Sequence, residues 1–321
     1  MSLPMGRALR EVFGEVVTEL AAGDPRIVML DGDLGSSTRA QIFEDAFPER
    51  YYQMGIAEQN MLGVAAGMAE MGCVPFISTF VAFALHRPLD QIRVLIAQTG
   101  ANVKITAGYT GLFTGRAGKT HQVVDDISIA RAMPGLVVIS PADEVETREV
   151  LTWSVAYDGP VFIRLVRDVT QTLFQPGHRF QFGKVKVVRE GGDITLISTG
   201  TQTPRVVDAA EILAASGIEA HVVHVPTIKP LDEAGIVAAA ERTGRVVTVE
   251  EHSVIGGLGG AVAETLSQHR PTRVDRIGIQ DHYTESAGDQ ELLDMYCLSA
   301  ERVAQRVRKL LASAGPVRSC D

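Results

Sequence analysis

Cysteine is scarce in this 321-residue sequence. Cys73, Cys297 and Cys320 are odd in number and far apart, so neither a disulfide framework nor a zinc-ligand spacing is suggested. Asparagine is scarcer still, with only Asn60 and Asn102. No apolar run approaches the ~20 residues that a membrane helix needs, and the opening MSLPMGRALREVF lacks the apolar stretch of a secretory signal. A reducing cytoplasm is therefore the expected location. Positive charge is in deficit as well. Lys and Arg number 30 against 39 Asp and Glu, and the net charge of -9 is spread along the chain. That offers no electrostatic footprint for nucleic acid or an anionic membrane, so neither is expected as a partner. Low-complexity tracts and short internal repeats are also lacking.

What is present is ordinary for a globular protein: 45% hydrophobic and 21% charged residues. The length favours two domains. Helical periodicity in ALREVFGEVVTELAAG gives way to RIVMLDGDL, which reads as a buried strand entering a loop. IAEQNMLGVAAGMAEMG reads as a buried helix closed by Gly72, VPFISTF as a strand, and HRPLDQIRVLIAQ as one helix with Pro88 in its first turn. ANVKITAG, LVVIS and VFIRLV read as further strands. YTGLFTGRAGKTHQ, with three glycines, reads as a loop able to bring backbone close to a ligand. From Asp193 onward strand and helix alternate. The expected fold is α/β, with two domains, each a mostly parallel sheet flanked by helices: residues 1–172, a linker over 173–190, and residues 191–321.

Several short strings stand out. GIAEQN puts Glu58 at the entrance of an apolar helix, where a carboxylate either favours the helix dipole or does chemistry. STFVAF spaces Phe80 and Phe83 three apart, which by itself is core packing. GKTHQ places His121 behind the glycine-rich loop, and a neutral imidazole there can both donate and accept. DGDLGSS reads equally as an Asx turn after a strand. Asp125 and Asp126 read as a helix cap and a solvated charge rather than a metal pair. GLGGAV superficially resembles a dinucleotide fingerprint, but the third glycine and a ribose-binding acid are missing, so close helix packing explains it better.

Taken together, GIAEQN, STFVAF and GKTHQ resemble the transketolase family's C-terminal half, the pyrimidine-binding and C-terminal domains, over nearly the whole chain. The resemblance implies thiamine diphosphate as cofactor. Glu58 matches the glutamate that hydrogen-bonds the aminopyrimidine, a task suited to a sheltered carboxyl. Phe80 and Phe83 match rings lining that pocket, and His86 stands where many relatives have a pocket tyrosine. Asp33 and Leu34 match the loop facing the thiazolium side. His121 matches a histidine that contacts substrate near the reactive carbon. Arg167 in RLVRD matches an arginine at the phosphate end, with Arg7 in GRAL and Ser37 in DGDLGSS at matching positions. Guanidinium forks there suit phosphate, sulfonate or carboxylate alike. Two departures bear on specificity. Tyr109 replaces a sugar-phosphate-binding histidine, and GRAG replaces the acidic GEDG, so that Arg116 is available to another acid group.

A diphosphate-anchoring GDG motif with its downstream asparagine is missing. Asn60 follows DGD at a tempting distance, but belongs to GIAEQN. Mg2+ bridges protein and diphosphate through oxygen ligands, so the resemblance implies that a separate N-terminal, diphosphate-binding subunit supplies most of the metal site. No metal ligand is assigned to this chain. The implied assembly is a heterotetramer of two such chains and two partners, moving a two-carbon ketol unit from a ketose to an aldose. The alternatives are a 1-deoxyxylulose-phosphate-synthase-like subunit, a 2-oxoacid dehydrogenase E1 beta-like subunit, or a noncatalytic subunit of the same fold.

Overall fold

The computed structural model describes residues 2–312, so Cys320 lies outside the described residues. Among the described residues fourteen strands are formed: β1 Met5–Ala8, β2 Ile27–Asp31, β3 Tyr51–Gln53, β4 Val74–Phe80, β5 Lys104–Gly108, β6 Val137–Ile139, β7 Val161–Arg164, β8 Val169–Gln171, β9 Lys186–Arg189, β10 Ile194–Ser198, β11 Ala220–His224, β12 Thr227–Lys229, β13 Val246–Ser253 and β14 Val274–Ile279. They make a seven-stranded sheet in the order β12-β6-β7-β5-β4-β2-β3, a five-stranded sheet in the order β14-β13-β10-β11-β9, and a β1-β8 ribbon. Both large sheets are parallel except at one edge, where β12 and β9 run antiparallel to their neighbours. The architecture is the expected α/β pair.

The central strands are short, uninterrupted buried runs such as IVMLD and VPFISTF. Such runs belong in a parallel sheet covered by helices on both faces. The helix Glu58–Glu70 follows β3 and packs Met61, Leu62, Ala65 and Ala66 onto the first sheet; Gly72, at φ +88°, turns the chain into β4. The expected single helix around Pro88 is instead a turn over Leu89–Gln91 that widens into a π-helix over Ile92–Ala97.

Buried polar clasps bind the two halves. β12 comes from the second half yet completes the edge of the first sheet against β6. Glu146, in the helix Glu144–Ala156, accepts a 2.8 Å hydrogen bond from His224 Nε2 on β11, and His178 lies 3.4 Å from its other oxygen. Burial opposes ionisation of Glu146, but the two imidazoles and the Ala142 amide outweigh it and hold the carboxyl at about 2.

Among the described residues no helix is long and apolar enough to cross a membrane.

Candidate active site

Chain order in the first sheet reverses beside β2. The chain passes from β2 outward to β3, then crosses back to β4 on the other side of β2 and continues to β5. Ligands of open α/β sheets bind outside the carboxyl ends of strands at such a switch point. The candidate residues follow those carboxyl ends: Asp33, Leu34 and Ser37 after β2, Glu58 after β3, Phe80, Phe83 and His86 at and after β4, Tyr109 directly after β5, and Arg167 after β7.

Three of them, Phe80, Phe83 and Tyr109, form one aromatic group with His121. The Phe80 and Phe83 rings stack with centroids 5.9 Å apart, and His121 stands edge-on to both, at 6.0 and 5.5 Å. Tyr109 also stacks on Phe80, at 3.7 Å. Its φ of +65° is a conformation that costs a non-glycine residue about 1–3 kcal/mol and is held where function or surrounding structure demands it. Phe80 and Phe83, readable in sequence as core packing, are here one wall of a histidine-bearing site.

Glu58 is 3% exposed. Its carboxylate accepts a 2.7 Å hydrogen bond from Arg87 Nη1, and the Arg87 guanidinium lies 4.0 Å over the Phe83 ring. The only sequence signal for Arg87 was its place between His86 and Pro88. His86 donates toward both carboxylate oxygens of Asp125, at 3.1 and 3.2 Å, and this pairing lifts its pKa above the ordinary 6.5 while drawing Asp125 down. Asp125 occupies an N-cap position but makes no capping bond, because its side chain is turned to His86. Asp126 is not solvated, as the sequence reading had it. It is fully buried, where Arg164 donates to it through two bonds of 2.6 and 3.1 Å and neutralises it.

The loop after β2 is held by Asp31 rather than Asp33. Asp31 is buried and accepts from the amides of Leu34 and Gly35, at 2.9 and 3.0 Å, whereas Asp33 is exposed, at φ +65°, with its amide donating to Gln53. The backbone carbonyl of Ser37 receives Arg10 Nη1 at 3.0 Å. Arg167 Nε donates to the Tyr109 hydroxyl at 3.1 Å and Arg167 Nη1 to Asp168 at 2.8 Å; these contacts raise its pKa. Arg7 is exposed and engaged by Glu15 through two bonds of 2.7 and 2.9 Å.

The loop that carries His121 is fastened to the second half of the chain. Glu251 on β13 is fully buried and accepts from the Leu112 amide at 2.6 Å, with Arg205 3.2 Å away. Gly111, at φ +67°, has no room for a side chain, since a Cβ would stand 2.2 Å from Glu251 Oε1. The Arg116 carbonyl accepts from the Ser286 hydroxyl at 2.6 Å, and Gln122 accepts from Thr284. Arg116 itself is exposed. A cleft of about 590 Å3 opens between this loop and the second half, lined by His86, Lys119, Thr120 and Asp125 on one side and His282 and Tyr283 on the other.

The glycine-rich turn in the second half is filled from within. Glu250 accepts from the Leu258 and Gly259 amides at 2.6 and 2.8 Å, at the N-terminus of the helix Leu258–His269, and a Cβ at Gly257 would stand 2.2 Å from Glu250 Oε2. An internal carboxylate takes the place where a dinucleotide phosphate would have to sit.

Among the described residues no group of three or more His, Cys, Asp or Glu side chains could hold a metal ion. A flat heterocycle does fit. The Phe83 face and the Glu58 carboxylate already receive a planar cationic donor, the Arg87 guanidinium, in the geometry that stacking plus one hydrogen bond requires.

Two family profiles cover the chain: the transketolase pyrimidine-binding domain over residues 5–172 and the transketolase C-terminal domain over residues 183–303. A putative transketolase C-terminal section from Methanocaldococcus jannaschii is 41% identical, covering 94% of this chain and 95% of its own length. A 6-deoxy-6-sulfo-D-fructose transketolase subunit from a Clostridium species is 39% identical, covering 94% of each chain. The solved structure of a split-gene transketolase, described as an inactive beta4 tetramer, superposes with a TM-score of 0.87 at 43% identity, over 96% of this chain and 99% of that one.

Proposed function

Since the chain belongs to the transketolase family, as its pyrimidine-binding and C-terminal half, we propose that it is the C-terminal subunit of a split, thiamine-diphosphate-dependent transketolase that moves a two-carbon ketol unit from a ketose to an aldose. The observation that carries this reading is the 3%-exposed carboxyl of Glu58 at the sheet's switch point, beside the Phe83 face.

On this reading Glu58 holds the aminopyrimidine edge and exchanges a proton with ring nitrogen N1′, while Phe83 and Phe80 give the ring an apolar wall. Bound there, the cofactor supplies the carbon nucleophile and the electron sink that carbon–carbon cleavage needs. His121, edge-on to both phenylalanines, reaches the substrate oxygens near the reacting carbon as donor or acceptor. The Asp33–Leu34 turn borders the thiazolium side, and His86, fixed by Asp125, closes the pocket rim. Arg167, Ser37 and Tyr109 bind the far end of the substrate, with Arg116 at the loop entrance.

We assign Mg2+ and the diphosphate to a partner subunit carrying the N-terminal domain, in a heteromeric complex. The split-gene relative supports a divided enzyme, and the missing GDG motif supports the metal's location.

The test is reconstitution with the neighbouring diphosphate-domain chain, Mg2+ and thiamine diphosphate, followed by a screen of ketose donors. Ketose consumption by the pair and by neither chain alone is expected. A complex that consumes 2-oxoacids and ignores ketoses would overturn the reading.

A further inference from the structure

The short helix Asp126–Ala132 starts beside the pocket rim, and its first turn is capped from the other half of the chain. Asp125 stands at the N-cap, where a carboxylate ordinarily accepts the amide of the second or third helical residue. The third amide, that of Ser128, donates instead to His252 Nε2 at 3.3 Å. His252 is fully buried near the end of β13, 124 positions further along the chain.

The partners of the His252 ring fix its tautomer. Nδ1 lies 2.7 Å from the Ser253 carbonyl, which can only accept, so the ring proton sits on Nδ1 and Nε2 is left as an acceptor. Two carboxylates face the ring from beyond hydrogen-bonding distance, Asp126 at 3.9 Å from Nε2 and Glu250 at 3.7 Å from Nδ1. Both are occupied elsewhere, Asp126 by Arg164 and Glu250 by the amides of Leu258 and Gly259.

The surrounding turn is built around this contact. The Ser253 amide donates to the Val124 carbonyl at 2.6 Å, the Ser128 hydroxyl to the Asp125 carbonyl at 2.6 Å, and Arg131 to the Gly256 carbonyl at 3.2 Å. Gly256, at φ +73°, packs so closely on the helix that a Cβ there would stand 2.7 Å from Ser128 Cβ. Asp125 thus has two competing uses, the Ser128 amide and His86. With the amide satisfied by His252, both of its carboxylate oxygens are left to His86, at 3.1 and 3.2 Å. The other charged groups near His86 are Asp126 and, lining the same cleft, Lys119, Asp281 and His282.

We propose that His252 is a positioning residue, which caps Ser128 in place of Asp125 and so leaves Asp125 free to hold His86 at the rim of the site. The second half of the chain thereby fixes a pocket side chain through a helix cap in the first half. Only the consequence for turnover rests on the ketol-transfer reading above. The linkage itself lies within this chain.

The experiment follows the His86 titration by NMR in the full chain for wild type, His252→Leu and His252→Gln. Leucine keeps the bulk and removes the acceptor, so the freed Ser128 amide draws the Asp125 side chain back to the cap. The His86 midpoint should fall toward the ordinary 6.5 in His252→Leu. In His252→Gln, whose amide oxygen can take the place of Nε2, it should stay near wild type. Added to Asp125→Asn, His252→Leu should cause no further fall, because the link is already cut. An unmoved midpoint in folded His252→Leu, or an undiminished fall in the double variant, would overturn the proposal. A second measurement needs no variant. Nitrogen-15 shifts of wild type near neutral pH should show His252 protonated on Nδ1 alone, and a proton on Nε2 would also overturn it. In the reconstituted complex His252→Leu should raise the KM for thiamine diphosphate by about fivefold, the scale of one net hydrogen bond, and leave kcat within about threefold. If the wild-type complex consumes no ketose while the His252-dependent shift of His86 persists, the ketol-transfer reading falls and the positioning role stands. An active complex with an unmoved His86 midpoint has the reverse meaning.

Discussion

The Arg87 guanidinium lies over the Phe83 ring, 4.0 Å from its centre, and donates a 2.7 Å hydrogen bond to the buried carboxylate of Glu58. A side chain of the protein thus makes both contacts, stacking and hydrogen bonding, that the proposed aminopyrimidine must make. Arg87 engages Glu58 Oε1 and the Phe83 face, the surfaces that the proposed cofactor would need. The proposed cofactor would compete with Arg87 there, and the Arg87 side chain, 42% exposed, has solvent to move into.

The first prediction concerns Glu58 itself. Glu58→Gln keeps the volume and a hydrogen bond but removes the exchangeable carboxyl proton. Turnover by the reconstituted complex should fall by about 100-fold or more, the scale of lost general acid–base catalysis. Donor consumption read beside the thermal melt of the same preparation checks it. A variant that folds normally and keeps full turnover would remove Glu58 from the mechanism.

Arg87→Ala separates competition from support. Without the guanidinium the cofactor has no internal rival, so the apparent affinity of the complex for thiamine diphosphate should rise. The free chain should lose stability by on the order of 1 kcal/mol, since one partner of the ion pair is half-exposed and screened by solvent. Calorimetric titration with cofactor and urea unfolding of the free chain read the two effects. A weaker affinity would show that Arg87 assists the bound state.

The sequence made the first sheet and the aromatic wall readable, because buried parallel strands and the strings GIAEQN, STFVAF and GKTHQ are local in the chain. What it hid is non-local. Arg10 meets Tyr109 across 99 positions, Glu251 meets the Leu112 amide across 139, and Thr284 meets Gln122 across 162. No periodicity signals such contacts, because they are set by how the second half lies on the loop. Asp126 was misread for the same reason. A charge beside a helix start reads as solvated until Arg164, 38 positions away, is seen to bury it. Arg10 was hidden by a subtler cause. Arg7, three residues earlier, fitted the resemblance, and only the helix geometry shows which of the two points at Tyr109.

Glu251 tests whether the second half supports the loop that carries His121. Glu251→Ala leaves Arg205 buried without its carboxylate and the Leu112 amide without its acceptor. Breaking a buried pair in this way costs about 3–5 kcal/mol. Urea unfolding should show that loss, and hydrogen exchange should show faster opening around residues 111–122. If exchange there is unchanged, the loop is held by its other contacts.

The His86–Asp125 pair makes a prediction in pH. The hydrogen bond to Asp125 raises the folded-state pKa of His86, and the pair's contribution is fully present below the ordinary value of 6.5. It is lost as pH rises through the raised folded value. Asp125→Asn should therefore bring the His86 titration midpoint, followed by NMR of the ring protons, back down toward 6.5. The stability difference from wild type should be largest in acid and shrink above neutrality. A midpoint unmoved by the substitution would show that another group holds the imidazole.

A carboxyl pair at the meeting of the two halves carries the last prediction. Asp289 opens the helix Asp289–Met295, and a Cβ at Gly115 would stand 2.4 Å from its Oδ1, so it lies directly against the His121 loop. Burial first, then the hydrogen bond and the charge of Asp168, push its pKa up to about 7, with Glu251 adding to the effect and Arg167 opposing it. A folded-state value raised above the unfolded one favours folding at low pH. That advantage is lost as pH climbs from the ordinary carboxylate range of about 4 toward 7, where the native state must either keep a proton or bear two adjacent negative charges. Asp289→Asn removes the second charge and keeps a hydrogen-bonding group. Its melting temperature should match or fall below wild type near pH 4 and exceed it above pH 7.5, the gap opening as Asp289 titrates. Parallel melting curves across the whole range would mean that Asp168 and Asp289 do not share a proton.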